Sequence, residues 1–454
     1  TKKSLTGWRE QMQSVFASAE VGYKGTYSLT ATMRTDWPSQ LAGPESVQSS
    51  FTYPSVGFSV VLSEALKLPE QISYLKVRGS YANVGLAFPR FLANPTKRWL
   101  TSSNEWSEAT HMPVSNLKPE YTHSYELGLT AKFLNHFNVD FTWYNTNTID
   151  QLFNPGISPG SGYESMYVQR GDVRNRGIEL SLGYDNKWND FGWGTSFTFS
   201  TNQNKIMKLA GEVEDLTTGE KTSYSHLDIG GLGDVHFLLK EGGSLGDIYS
   251  SLDLVRDSDG KIFVDNNGNV ALDKSNKGVD QWHKLGSVFS KANMSWRNDF
   301  SWKGINMGFL VTARLGGVVY SRTQVALDYH GVSEASAIAR DKGGYMVNGG
   351  DMVNAYNWYD VVASGDGVPQ YYTYDATNIR LQEASIGYTI PRKWLKNVCD
   401  ITVSLVGRNL LMIYKKAPFD PESVASAIDN YYQGIDFFMM PSARNIGFST
   451  RIKF

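Results

Sequence analysis

The strongest constraint on this chain is a two-residue alternation that recurs along its length and ends flush with its C-terminus. Between Asn445 and Phe454, the residues Ile446, Phe448, Thr450, Ile452 and Phe454 fall on one face. Gly447, Ser449, Arg451 and Lys453 fall on the other. A period of two with one apolar and one polar face marks a strand buried on one side only. The pattern repeats upstream. Leu75, Val77 and Gly79 alternate with Lys76, Arg78 and Ser80. Tyr125, Leu127, Leu129 and Ala131 alternate with Glu126, Gly128, Thr130 and Lys132. Similar ribbons run through Val139–Tyr144, Ile178–Asp185, Ser196–Ser200, Ile305–Arg314 and Asp400–Leu405. Each is roughly ten residues long, the length of a tilted membrane-crossing strand.

The connections between ribbons come in two classes. Short ones lie near 21–26, 63–73, 133–137, 186–192, 297–303 and 389–399. Long ones lie near 37–54, 85–121, 149–175, 204–286, 315–377 and 409–442. Short turns at one rim and long loops at the other predict an all-β fold, a transmembrane antiparallel β-barrel. Trp188, Trp193, Trp296, Trp302 and Trp394 sit at or beside the short turns, where an interfacial girdle belongs. A last strand that stops on a bare aromatic is common in bacterial outer-membrane barrels, so Phe448, Ile452 and Phe454 are the candidate barrel-assembly signal. The ribbons number about 13. An odd count with a periplasmic C-terminus puts residues 1–13 in a surface loop. The expectation is that residues 1–454 are one β-barrel domain, the C-terminal portion of a larger barrel.

Composition agrees and excludes other classes. Lys and Arg total 43 against 45 Asp and Glu, so there is no cationic excess for nucleic acid. The 59 aromatic residues (12 Trp, 25 Tyr and 22 Phe) and 43 Gly suit many strands joined by turns. Mean hydropathy is −0.33, which a barrel tolerates because only alternate residues meet lipid. The single cysteine, Cys399, forbids an intrachain disulfide.

Signals for catalysis fail on context. Gly242-Gly243-Ser244-Leu245-Gly246 matches a nucleophile elbow, but no helical pattern follows it. The seven His are scattered with no H-x-x-x-H pair. Asp257-Ser258-Asp259-Gly260 and Asp265-Asn266-Asn267-Gly268 place Gly too early for an EF-hand and read as Asp/Asn-Gly turns. The chain is expected not to be an enzyme and to carry no cofactor or metal.

Several stretches resemble one family. They are Leu117–Leu129 (LKPEYTHSYELGL), Asp140–Asn145 (DFTWYN), Asp172–Leu180 (DVRNRGIEL) and Lys240–Tyr249 (KEGGSLGDIY). Tyr374–Tyr388 (YDATNIRLQEASIGY) and Val406–Leu410 (VGRNL) complete the set. In order and spacing they are similar to the C-terminal barrel of SusC-like TonB-dependent transporters of the Bacteroidetes outer membrane. The resemblance implies a barrel of about 22 strands closed by an N-terminal plug. It further implies a SusD-like surface lipoprotein lid, energy from TonB, and oligosaccharide or oligopeptide cargo. The plug, the first strands and the TonB-contacting segment are absent from this chain, so transport would require that missing N-terminal portion as a partner.

On this reading Lys76, Arg78, Glu126, Glu179 and Arg314 face the lumen, either as contacts for plug or polar cargo or as solvated wall. Aromatic rings in the long loops can stack on sugars or peptide side chains. Trp99, Trp106, Tyr356, Trp358 and Tyr359 are the ligand-binding candidates, with loop packing or lid contact as their structural alternative. A competing fold is a soluble all-β carbohydrate-binding or carbohydrate-active protein. That fold would bury Phe141, Phe197, Phe309 and Phe448 between two layers. A surface adhesin built on the same barrel is a third possibility.

Overall fold

The computed structural model describes residues 9–42, 46–90, 92, 98–100, 105–107, 111–112, 118–154, 163, 165–209, 213–214, 221–222, 225–275, 278–396, 398–425 and 432–454. Its main element is an antiparallel sheet of 13 strands arranged in sequence order. They are β1 (Met12–Tyr23), β2 (Tyr27–Pro38), β3 (Phe51–Val61), β4 (Ile72–Leu86), β5 (Glu120–Phe133), β6 (Phe137–Phe153) and β7 (Val168–Trp188). They continue with β8 (Phe191–Lys208), β9 (Ala292–Trp302), β10 (Ile305–Leu315), β11 (Asn378–Ile390), β12 (Asp400–Lys415) and β13 (Asn445–Lys453). Strands β1 and β13 are the two edges. The strands run longer than expected: β6, β7 and β8 have 17, 21 and 18 residues. About 9–11 residues suffice to cross a bilayer, so these strands extend well past it.

Tight turns set the registers. Lys24-Gly25, Leu134-Asn135 and Lys303-Gly304 all have positive φ at both positions. Lys303-Gly304 is a two-residue hairpin loop between the paired Trp302 and Ile305, and the other two lie in three-residue loops between the pairs Tyr23–Tyr27 and Phe133–Phe137.

The chain forms two compact units. In the first, the register stacks apolar residues into rows. Phe58 lies opposite Gly79, which lies opposite Leu127, then Trp143, then Ile178. The parallel row is Val60, Val77, Leu129, Phe141 and Leu180. The alternate positions carry Ser59, Arg78, Gly128, Thr142 and Glu179. On the long-loop side Leu41, Phe51, Phe88 and Leu92 form a small buried cluster against Tyr53 and Tyr121.

The second unit repeats the scheme. Trp193, Phe300, Met307, Ile386, Leu405 and Phe448 form one apolar row. Most of these large side chains are exposed, Phe448 at 82%. Phe141 is exposed as well, and Phe197 and Phe309 are half-buried. None of the four is tucked into a dry interior, which removes the soluble two-layer alternative. Trp188, Trp302 and Trp394 do sit at or beside short turns and are exposed. Trp193 is the third residue of β8, beside its short turn, whereas Trp296 sits well inside β9, and this corrects the girdle reading for Trp296. Their indole N–H groups donate to Asn298 and Thr195 at 3.1 Å each. They thereby give the Asn298 side-chain carbonyl and the Thr195 hydroxyl a partner on an apolar face, where an unpaired group is costly.

The long loops of this unit are folded. Helices α1 (Arg322–Tyr329), α2 (Glu334–Asp341) and α3 (Ala355–Val362) are N-capped by Ser321, Ser333 and Asn354. They pack on Tyr320, Val325, Val353, Trp358, Val362 and Tyr372, all fully or nearly fully buried.

Candidate functional site

The polar side of the first unit is organised by Arg78. Its Nη1 donates to Thr130 Oγ1 at 2.8 Å and to Asp140 Oδ2 at 3.1 Å. Its Nη2 donates to Asp140 Oδ1 at 2.9 Å and to Thr142 Oγ1 at 2.6 Å. The guanidinium reaches Asp140 two strands away because it lies across Gly128. A Cβ there would stand 2.5 Å from Arg78 Cζ. Gly128→Ala is therefore expected to push the guanidinium off Asp140. The pair is about 40% exposed, with side-chain exposures of 37% and 45%, so the loss is modest, about 1 kcal/mol. A small fall in the urea midpoint of the folded barrel would show it; an unchanged midpoint would not fit.

The second unit carries a matching ladder. Arg297 donates to both oxygens of Asp299 at 2.8 and 2.9 Å and lies 3.7 Å from Glu383, which accepts from Arg408 at 3.2 Å. Half-exposed pairs of this kind contribute little stability. They make a wall that water and polar solutes wet.

Of the expected wall residues, Glu126 and Glu179 are exposed, and Lys76 and Arg78 half-buried. Arg314 instead turns toward a loop, where its Nη2 donates to the Val288 carbonyl at 2.8 Å.

The sequence reading missed the network at the base of the last long loop. Arg380 is nearly enclosed, with 5% side-chain exposure. Its Nη2 donates to Asp420 at 2.7 Å and lies 3.1 Å from Glu422; its Nε donates to Asn378 at 3.3 Å and its Nη1 to Asn409 at 3.3 Å. Burial alone would raise the Asp420 carboxyl. The Ser442 hydroxyl, the Glu422 N–H and Arg380 more than offset it and hold the carboxyl below the usual carboxylate range.

The five candidate aromatics separate. Trp99 pairs with Trp106 in a short hairpin, Arg98–Leu100 with Glu105–Ser107, and the Trp99 side chain lies outside the described residues. Trp106 is exposed, and Tyr356 presents 80% of its surface. Trp358 is 2% exposed and stacks on Tyr345 with centroids 4.2 Å apart. Tyr359 is buried beside it, and burial pushes its phenol up to about 12. Both rings build the loop's own core, since α3 turns them toward α1 and α2. Among the four whose side chains are described, only Trp106 and Tyr356 are exposed.

The enzyme-like motifs also resolve. Ser244 donates to Asn204 Oδ1 at 3.2 Å, and the strand Asp247–Ser250 follows it instead of a helix. Asp257 and Asp265 each accept two backbone N–H groups of their own turns, as Asx turns do.

The profile of the family described as "TonB dependent receptor-like, beta-barrel" matches residues 3–410. The chain belongs to this family. This TonB-dependent receptor barrel is 26% identical over 98% of its length to TonB-dependent receptor P3 of Formosa agariphila, covering 46% of that protein. It is 24% identical over 93% of its length to TonB-dependent receptor SusC of Bacteroides thetaiotaomicron, covering 42% of it. A solved structure of the RagAB peptide transporter superposes with a TM-score of 0.71 at 18% identity, covering 98% of this barrel and 48% of that chain. That likeness shows a shared fold. The chain thus spans about half the length of the curated relatives it matches.

Proposed function

We propose that this barrel is the C-terminal wall of an outer-membrane importer that takes up oligosaccharides or oligopeptides and performs no chemistry on them. TonB energises it through a plug borne by the remaining part of the protein, and a SusD-like lipoprotein caps it. The long loops lie outside the cell and the C-terminus in the periplasm. The observation that carries this reading is the two-faced sheet. One side is a set of continuous apolar rows, and the other a wettable wall of Arg–carboxylate ladders. Lipid outside and an aqueous path inside account for both. The family supports it, as do the names of SusC and the RagAB peptide transporter among its likenesses.

The test is genetic. Deletion of the gene is expected to abolish growth on one class of glycan or peptide as sole nutrient, and an intact gene to restore it only in a TonB-competent strain. Restoration without TonB would contradict the reading. Trp106 and Tyr356 are the proposed cargo contacts. Tyr356→Ala is expected to leave membrane insertion unchanged and raise the half-saturating cargo concentration about 5-fold, from the loss of one ring face. An unaltered uptake curve would remove Tyr356 from the path.

A further inference from the structure

Two neighbouring short turns of the second unit carry a cluster of cations. Lys303-Gly304 joins β9 to β10, and residues 391–399 join β11 to β12. The two are adjacent: the Thr389 N–H donates to the Gly304 carbonyl at 2.7 Å, and Ile305 lies opposite Tyr388. Together they hold Lys303, Arg392, Lys393 and Lys396 and not one carboxylate. Arg392 leans on Asp400 at 3.9 Å. Lys303, Lys393 and Lys396 are exposed and have no acidic partner among the described residues.

Lys303 shows which surface the cluster borders. Trp302 belongs to the apolar row Phe191, Trp302, Ile305, Tyr388 and Val403, the row nearest the turns. The Lys303 ammonium lies over the Trp302 ring, 5.5 Å from its centroid. It folds back toward the apolar face, at the level of the interfacial rings, instead of reaching away from the membrane. The first unit has the same arrangement. Lys24 Nζ lies 5.2 Å from the centroid of Tyr23, and Tyr23 lies in an apolar row with Tyr27, Val60 and Val77. Trp394, next to Lys393, is exposed.

The backbone points the same way. Lys24, Lys303 and Lys396 have φ of 53°, 47° and 52°, a left-handed conformation that Gly and Asn adopt more readily. Asn135 and Asn189 take it in two other short turns. Lysine offers the turn no conformational advantage, so its use lies in the ammonium.

We propose that the two turns of the second unit seat the phosphate of an anionic phospholipid in the periplasmic leaflet. Lys303, Lys393 and Lys396 surround the headgroup, and Trp302 and Trp394 lie at the level of its glycerol and upper acyl carbons. The seat rests on the proposed orientation, with the short turns toward the periplasm. A partner in the periplasmic space, such as a wall polymer, would draw the ammonium groups away from the rings.

The test is amine footprinting of the full-length receptor in lipid nanodiscs, acetylated with a water-soluble ester and read by mass spectrometry. Discs of phosphatidylethanolamine alone are compared with discs that also contain phosphatidylglycerol. The seat predicts that phosphatidylglycerol slows acetylation of Lys303, Lys393 and Lys396 about 5-fold and leaves Lys261, in a long loop, unchanged. Native mass spectrometry is expected to find phosphatidylglycerol retained by the wild type and by K303R/K393R/K396R, and lost from K303Q/K393Q/K396Q. Equal rates in the two discs would overturn the seat. Protection by soluble peptidoglycan fragments instead would give the turns to a wall polymer and overturn it as well. Orientation is checked separately in intact cells, with an amine reagent too large to cross the outer membrane. It should label Lys261 and spare Lys303. Labelling of Lys303 there would overturn the orientation itself, whatever the discs show.

Discussion

Leu405→Arg is expected to cost about 2–4 kcal/mol of folding stability in a bilayer, because a guanidinium would be placed on the lipid side near the middle of the membrane. Leu405 is flanked in its row by Ile386 and Phe448 and is exposed. It lies five positions into a strand whose first residue is Asp400. The neighbouring change, Ser404→Arg, puts the same group on the opposite face and is expected to cost under about 1 kcal/mol. Urea titration of the reconstituted barrel, read as the compact band on an unheated gel, separates the two. Equal losses at 404 and 405 would mean that the two faces see the same surroundings.

The second large effect is at Arg380. Removing this side chain strands Asp420 and partly Glu422 without their cation. Breaking a buried pair from one side costs about 3–5 kcal/mol. Arg380→Met is therefore expected to release the segment 416–444 while the strands stay paired. Proteolysis and hydrogen exchange confined to that segment would report it, and unchanged protection there would contradict it. The same clamp responds to acid. Because the Asp420 carboxyl is held below the usual carboxylate range, its contribution is complete above the ordinary carboxylate pKa. It is lost as pH falls through the depressed value. In the wild-type protein the segment is expected to loosen under acid conditions, and in Arg380→Met that acid step shrinks.

The fold was legible in the sequence because the alternation is a direct record of two solvents. The ribbons of β4 to β8, β10, β12 and β13 could be read from side-chain polarity alone; β9 could not, and residues 297–302 of the connection read at 297–303 belong to that strand, which runs Ala292–Trp302. Arg380 escaped for a physical reason. In β11 the apolar positions are Ile379 and Leu381, then Ala384, Ile386 and Tyr388. The parity flips at Gln382, where the register with both β10 and β12 shifts. A bulge of this kind turns the strand and hides the face of residues near it. The loop aromatics were misjudged for another reason. Composition placed Trp358 and Tyr359 in a long connection, and connections were treated as surface. The caps at Ser321, Ser333 and Asn354 were the available sign that this connection folds into helices with a core of its own. The ladders on the polar wall could be anticipated as charged positions. Their pairing depends on registers across three or more strands, which no local pattern encodes.

The most direct test of the two-solvent account is a nitroxide scan of residues 401–405 in the protein reconstituted in bilayers, with collision rates measured for oxygen and for a water-soluble nickel chelate. The account predicts a period of two. Labels at Ile401, Val403 and Leu405 collide with oxygen, and labels at Thr402 and Ser404 collide with the chelate. A run of five labels shielded from both reagents, as between two packed protein layers, would contradict it.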